Sequence, residues 1–371
     1  MTADRLRIAV IASNRFPISQ PFAGGLEAHV WHLARALTDR GHDVSLFAAP
    51  GSDEGERLSR LDVRELHLTE AARSDAAMPE VRFMADHHAY LNLMVQLARA
   101  DQFDLIHNHS LHHLPIAMAP TLRTPMLCTL HTPPTPWLES AILTTGGEGV
   151  RFVAVSNHTA DAWRPLIDSV DVVRNGIDLD HWPLGPGGDE VVWFGRLTAE
   201  KGPHLAIEAA RRAGVRLVLA GPVSDENYYR RQIEPELGGS IRYAGHLTQP
   251  ELADLVGRCA VALMTPRWDE PYGLVVAESL ACGTPVVAFA RGGIPELLNS
   301  TGCGRLVGPD DVAGMAAAIP VAAGLRRAAV RDHARRHCSA DGMVSAYVDV
   351  YRQMIRDSPH ESLDDSPRRT A

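Results

Sequence analysis

Lysine is almost absent from this 371-residue chain: of its 36 basic residues, Lys201 alone is lysine and the others are arginine. A sequence so biased writes arginine wherever a mobile positive charge suffices, so the exception marks a position that arginine does not fill. An ammonium is a compact point charge and a guanidinium a planar fork, and the two are not interchangeable at a phosphate. Cysteine is sparse as well. Cys128, Cys259, Cys282, Cys303 and Cys338 are odd in number, far apart and without a CxxC pair. That excludes a disulfide framework and fits free thiols in a reducing cytosol. Positive charge is in deficit, with a net charge of −9. A general nucleic-acid binder is thereby excluded, because nothing offsets a phosphate backbone, although a local basic pocket stays open. No stretch reaches the ~18 uninterrupted apolar residues of a membrane span, and the apolar stretch after Met1 is of strand length, too short for a signal-peptide core. A cytoplasmic protein is expected, with peripheral membrane contact left open.

What is present is an alternation. The length suits two domains, and 45% hydrophobic with 22% charged residues describes a globular protein. Short apolar runs such as Arg7 to Ala12, Asp43 to Ala48, Phe103 to His107, Met126 to Leu130, Phe152 to Ser156 and Val170 to Val173 alternate with helical periodicity. One such helix runs from Glu27 to Arg40, stopped by Gly41. A second series starts at Val191 and continues through Val215 to Ala220, Ile241 to Ala244, Ala260 to Met264, Pro285 to Ala288 and Arg305 to Val307. Continuous apolar strands between helices mark parallel sheets covered on both faces. The stretch from Asn175 to Glu190, rich in glycine and proline, reads as a flexible linker between the two series. The region from Asp311 to about Ile355 reads as mostly helical with a break near Pro320, and the polar tail 358–371 as disordered. Domains are expected at 1–182 and 189–342, the first completed by 343–357.

The chemistry concentrates in the second series. The apolar run Val191 to Phe194 ends at Gly195, and Arg196 and Lys201 follow on one short loop before Pro203 opens a helix. Two cations beside a helix N-terminus make an anion site, for which a diphosphate is the natural tenant. Further on, Gly273 opens an almost wholly apolar helix, leaving the Gly273 and Leu274 amides for anionic oxygens. Glu278, one turn in, is the only acid of that helix and needs partners. A ribose, with two adjacent hydroxyl donors, supplies them. Glu270, eight positions earlier, lies at the helix mouth, where the part of a ligand beyond the phosphates would sit. The pair Gly292-Gly293 permits a sharp turn or a close backbone approach and is a weak signal alone.

Taken in order, GRLTAEKG (195–202), PRWDEPYGLVVAES (266–279) and ACGTPVVAFARGGIPEL (281–297) resemble the retaining nucleotide-sugar glycosyltransferases of family 4. The segments FAGGLEAHV (22–30), FDLIHNHS (103–110), HTPP (131–134), VAVSNHT (153–159) and VRNGIDLDHW (173–182) follow the same family order. The resemblance spans about residues 7–355. It implies an α/β fold of the GT-B type, with two Rossmann-like domains facing across a cleft and a C-terminal helix crossing back to the first. It also implies that Arg196 and Lys201 bind the donor diphosphate, that Glu278 holds the ribose, and that Glu270 contacts the sugar hydroxyls. Gly273 and Leu274 would meet the phosphate and sugar through their amides, and the base would lie near His246, Leu247 and Thr248. Gly24 and Gly25 would approach the donor from the first domain, and His131 would hydrogen-bond the transferring sugar. The implied activity is transfer of a sugar from a nucleoside diphosphate to a hydroxyl acceptor by a front-face route, with no metal and no cofactor. The acceptor is a small molecule or a glycan and less readily a lipid, because Arg57 to Arg82 mixes both charges. The sequence specifies neither the base, the sugar nor the oligomeric state.

Other readings compete. A dinucleotide oxidoreductase needs GxGxxG straight after the first strand, whereas here Ser13-Asn14-Arg15-Phe16-Pro17 intervenes and glycines arrive only at Gly24. A nucleotide-sugar epimerase, a sugar phosphorylase or a non-catalytic nucleotide-sugar-binding subunit could share the motifs. The 18 histidines invite a metal, notably His107, His109, His112 and His113 with His87 and His88, but no acid or cysteine accompanies them at ligand spacing.

Overall fold

The computed structural model describes residues 5–53, 59–60, 66–99 and 102–357. The tail at 358–371, and within the mixed-charge stretch 57–58 and 61–65, lie outside the described residues.

The apolar runs become two parallel sheets. The first contains β1 (Arg7–Ile11), β2 (Asp43–Phe47), β3 (Ser59–Arg60), β4 (Leu105–Asn108), β5 (Met126–Leu130), β6 (Val150–Ala154) and β7 (Val170–Val172). Their order is β3-β2-β1-β4-β5-β6-β7. The second holds β8 (Val191–Phe194), β9 (Leu217–Ala220), β10 (Ile241–Tyr243), β11 (Val261–Met264), β12 (Val286–Phe289) and β13 (Gly304–Val307), in the order β10-β9-β8-β11-β12-β13. Every residue of β4, β5, β8, β9, β11 and β12 is buried, as helices on both faces require. Complete burial of a Val, Leu or Ile side chain contributes about 1.5–3 kcal/mol, so these central strands anchor both cores.

Strand order decides where chemistry can happen. In each sheet the winding reverses between two central neighbours, β1 and β4 in the first, β8 and β11 in the second. At such a reversal the connecting helices diverge to opposite faces and leave a crevice beyond the strands' carboxyl ends. The sequence segments that leave those ends are the ones carrying the glycines, histidines and cations described above.

One expectation is corrected. The stretch from Asn175 to Glu190 is a packed strap, not a flexible tether. Ile177 and Trp182 are buried, and the Ile177 amide donates to Cys338 O at 2.8 Å while its carbonyl accepts from Ala340 N. The Gly185 and Gly187 amides bond Cys282 O and Gly257 O, and the Arg327 guanidinium donates to Gly185 O. A Cβ on Gly185 would lie 2.1 Å from Gly257 O, so glycine serves close packing there rather than freedom. The break expected near Pro320 falls just beyond that residue. The helix Val312–Ala323 runs through it and turns only at Gly324, before the helix Arg327–His337. Proline forfeits one hydrogen bond, and the buried face of Val312, Met315, Ile319 and Ala322 outweighs that loss.

The last helix, Ala340–Asp357, leaves the second sheet and packs on the first, against the helix Gly25–Asp39. Its Tyr347, Tyr351 and Met354 share a core cluster with Leu33, Val44 and Leu105. Tyr351 Oη lies 2.7 Å from His107 Nδ1, and Tyr347 Oη 3.2 Å from Thr129 Oγ1. No single helix among the described residues is long and apolar enough to cross a membrane.

Candidate active site

The two crevices face one another and form one cleft of about 360 Å³, lined from both sheets. Gly24, Gly25, His131, Arg196, Lys201, His246, Leu247, Glu270, Gly273, Leu274 and Glu278 all border it. Eleven positions spread over more than 250 residues of sequence thus converge on one space.

The cationic side is built by glycine geometry. Gly195 (φ +149) ends β8, and Gly202 (φ +67) caps the helix Pro203–Ala213. A Cβ on Gly202 would sit 2.2 Å from Thr265 O, so only glycine lets this loop lie against the end of β11. Between them, Arg196 pairs with Glu200 at 2.8 Å and Lys201 with Glu270 Oε2 at 2.6 Å. The two pairs differ in environment. The side chains of Lys201 and Glu270 are 16% and 13% exposed, and those of Arg196 and Glu200 34% and 48%. The exposed pair is worth about 0–1 kcal/mol and yields readily to a competing anion. The Lys201 ammonium also lies 4.8 Å from the Trp268 ring centre, a cation–π contact that aims it into the cleft.

Opposite stands the helix Leu274–Ala281, opened by Gly273 at φ +97. Its amide end faces the cations. Glu278 borders the cleft one turn in and has no hydrogen-bond partner among the described residues. Burial against this apolar helix pushes its carboxyl up to about 8. The Glu270 loop is held from behind. Gly293 N donates to Glu270 O at 2.7 Å, and Gly292 (φ +59) presses so close that a Cβ there would lie 2.1 Å from the same oxygen. The glycine pair that was a weak signal in sequence is therefore the backing of the Glu270 loop.

The first domain closes the other wall. Gly24 and Gly25 begin the helix Gly25–Asp39, and a Cβ on Gly25 would lie 2.9 Å from Leu274 Cδ1 across the cleft. His246 Nε2 lies 3.2 Å from Phe22 O, and Gln249 Nε2 3.2 Å from His32 Nε2, so the rims touch. His131 follows β5, and its Nε2 lies 2.9 Å from Nδ1 of His109, which follows β4. His29, on the helix Gly25–Asp39, stands against both rings. Burial pushes all three imidazoles down, His29 to about 3, which keeps them neutral at physiological pH.

Sequence reasoning missed two features. Glu27, in the FAGGLEAHV segment, is buried beside the cleft, and desolvation raises its pKa against the pull of Arg196 and Arg15. Its signal was an acid in the first turn of a glycine-opened helix. His29 and His109 were also not placed beside His131. Their separations in sequence carry no hint of contact, which depends on β4 lying between β1 and β5.

Two Rossmann-like domains facing across such a cleft make the GT-B architecture of glycosyltransferases. The Glycosyltransferase Family 4 description matches residues 23–181, and the Glycosyl transferases group 1 description residues 180–323. The chain is 30% identical over 396 residues to a glycogen synthase of Mycobacterium tuberculosis, across 93% of this chain and 94% of that protein. It belongs to glycosyltransferase family 4. A D-inositol 3-phosphate glycosyltransferase of Mycolicibacterium paratuberculosis is 28% identical, over 95% of this chain and 91% of its own length. Among solved structures, Anabaena HepE in complex with UDP-glucose superposes with a TM-score of 0.72 at 17% identity, over 94% of this chain and 100% of that one.

Proposed function

We propose that this glycosyltransferase takes a sugar from a nucleoside-diphosphate donor and passes it, with retained anomeric configuration and without a metal, to a hydroxyl of a small molecule or glycan. The observation that carries the reading is the meeting of the only lysine, Lys201, with Arg196, the amide end of Leu274–Ala281 and the unpaired Glu278 in one cleft. HepE, which shares the fold, was solved with UDP-glucose, and that supports the donor class.

In this reading the diphosphate takes Arg196 from Glu200 and Lys201 from Glu270. Glu270, released, accepts hydrogen bonds from sugar hydroxyls, and Glu278 accepts from the ribose. Gly24 and Gly25 allow the first domain's backbone to close on the phosphates, and His131 orients the sugar. As the bond from the anomeric carbon to phosphate oxygen breaks, negative charge grows on the leaving diphosphate beside the two cations. The acceptor oxygen attacks from the same face, and its proton passes to that phosphate oxygen. Fixed charge aimed at developing charge is commonly the largest catalytic contribution, and two cations supply it here in place of a divalent ion.

The test is acceptor-dependent release of nucleoside diphosphate from a panel of UDP-, GDP- and ADP-sugars. Lys201→Ala is expected to lose on the order of 100-fold in turnover with unchanged circular dichroism. Lys201→Arg is expected to be severely impaired too. Turnover should survive EDTA treatment, and NMR of the product should show the donor's anomeric configuration. Near-wild-type turnover by Lys201→Ala would overturn the assignment.

A further inference from the structure

The histidines beside the cleft have a geometry of their own. The ring centres of His29, His109 and His131 form a near-equilateral triangle, 5.4, 5.2 and 5.2 Å on a side. One ligand nitrogen from each lies within 4.8 Å of the others, and an ion held there would replace the contact of His109 Nδ1 with His131 Nε2 at 2.9 Å. Three imidazoles on a tetrahedral ion, each nitrogen about 2.1 Å from the metal, would place their ring centres about 5 Å apart. The polar inventory points the same way. Both ring nitrogens of His29 and Nε2 of His109 are buried with no hydrogen-bond partner among the described residues. Buried polar atoms left unpaired are costly and uncommon, and three on two neighbouring rings call for an occupant.

We propose that His29, His109 and His131 form a binding site for a divalent ion of the zinc class, and that its occupation opposes sugar transfer. Three neutral imidazoles with no carboxylate favour zinc, copper or nickel over magnesium or calcium. His131 borders the cleft, so the ion's fourth ligand is a water or substrate oxygen from that side. An ion on His131 fixes its ring and tautomer, and so competes with the hydrogen bond that the donor sugar would make to it. This second step rests on the donor reading above, whereas ion binding itself does not. The reaction needs no metal; the ion is a brake on it.

A second trio, His87, His112 and His113, is a natural control. Its ring centres are 6.1, 6.0 and 4.4 Å apart, so the triangle is uneven. That geometry fits a three-histidine site less well.

The experiment is calorimetric titration of the full-length, chelator-treated protein with zinc sulfate. One ion per chain at micromolar affinity or better is expected. His29→Gln and, independently, His109→Gln should each weaken binding on the order of 100-fold, since each removes one of three ligands. His112→Asn should leave it unchanged. Cobalt substitution should give the intense visible absorption of a tetrahedral ion, absent from His29→Gln. Zinc should inhibit nucleoside diphosphate release competitively with the donor. Absence of micromolar binding overturns the site, as does binding that survives both glutamine variants or is lost with His112→Asn. Binding at this trio that leaves turnover unaffected overturns the brake while leaving the donor assignment to the Lys201 test.

Discussion

At the residue scale, Glu278 shows how a binding group is kept ready at a cost. Its carboxyl stands near 8 in the folded chain against an ordinary 4.5. The native state therefore holds a proton that the unfolded chain releases anywhere between those values, and stability must fall as pH rises through that window. We expect the ligand-free protein to melt at progressively lower temperature from pH 5 to pH 8.5. Glu278→Gln should flatten that slope and melt above wild type at pH 8.5, while binding nucleoside diphosphate more weakly. An identical pH slope in both proteins, followed by differential scanning fluorimetry, would dispose of the account. This residue was legible in the sequence because an acid alone on an apolar helix needs a reason to be there. Glu27 was not, since its burial depends on a second domain closing over the first turn of its helix.

At the element scale, the cleft depends on glycines that let backbones touch. Gly292 is left-handed and lies against Glu270 O. Gly292→Ala meets both a disfavoured backbone region and a carbonyl at collision distance, so the Glu270 loop must move. Misplacing a positioning group by about 1 Å can cost on the order of 100-fold, so we expect at least a tenfold loss of kcat with a lowered melting temperature. Steady-state kinetics with thermal denaturation of the same preparation decides it. Strands and most helices were readable from apolar runs and periodicity. The break near Pro320 was readable only to within a turn, because a local rule ignores what the rest of a helix buries. The Asn175 to Glu190 strap was misread because glycine signals mobility and close packing with the same letter. Which of the two applies is known only once Gly257 and Cys282 are seen beside it.

At the scale of the whole molecule, the domains are latched by a second set of contacts besides those of Phe22 and His246. Glu296, in the second domain, accepts from Asn157 N at 3.1 Å, Asn157 Nδ2 at 2.8 Å and His158 N at 2.9 Å, and pairs with Arg174. Ser156 Oγ donates to Pro271 O at 2.6 Å, and the Tyr272 hydroxyl donates to Asn175 O. The Ser156 bond ties the VAVSNHT segment to the loop carrying Glu270, and the Glu296 bonds tie it to the helix Ile294–Leu297. Glu296→Ala strips several charge-assisted bonds from that junction. Small-angle scattering of the ligand-free variant should give a larger radius of gyration than wild type, and the apparent KM for donor should rise. An unchanged scattering curve would show that the latch does not hold the domains. Family motifs announced both halves of the cleft, yet the sequence did not write their relative placement, because the bonds that fix it join residues 97 to 139 positions apart.

The helix Ala340–Asp357 places Tyr347, Tyr351 and Met354 inside the first domain, although this stretch is translated after every described strand of the second sheet. While synthesis is under way, that domain has an open flank, and the second one, whose strands all lie before residue 308, can fold ahead of it. A truncation that stops short of Ala340 would accordingly damage the half of the protein made earliest. The first domain is thus finished only after the second.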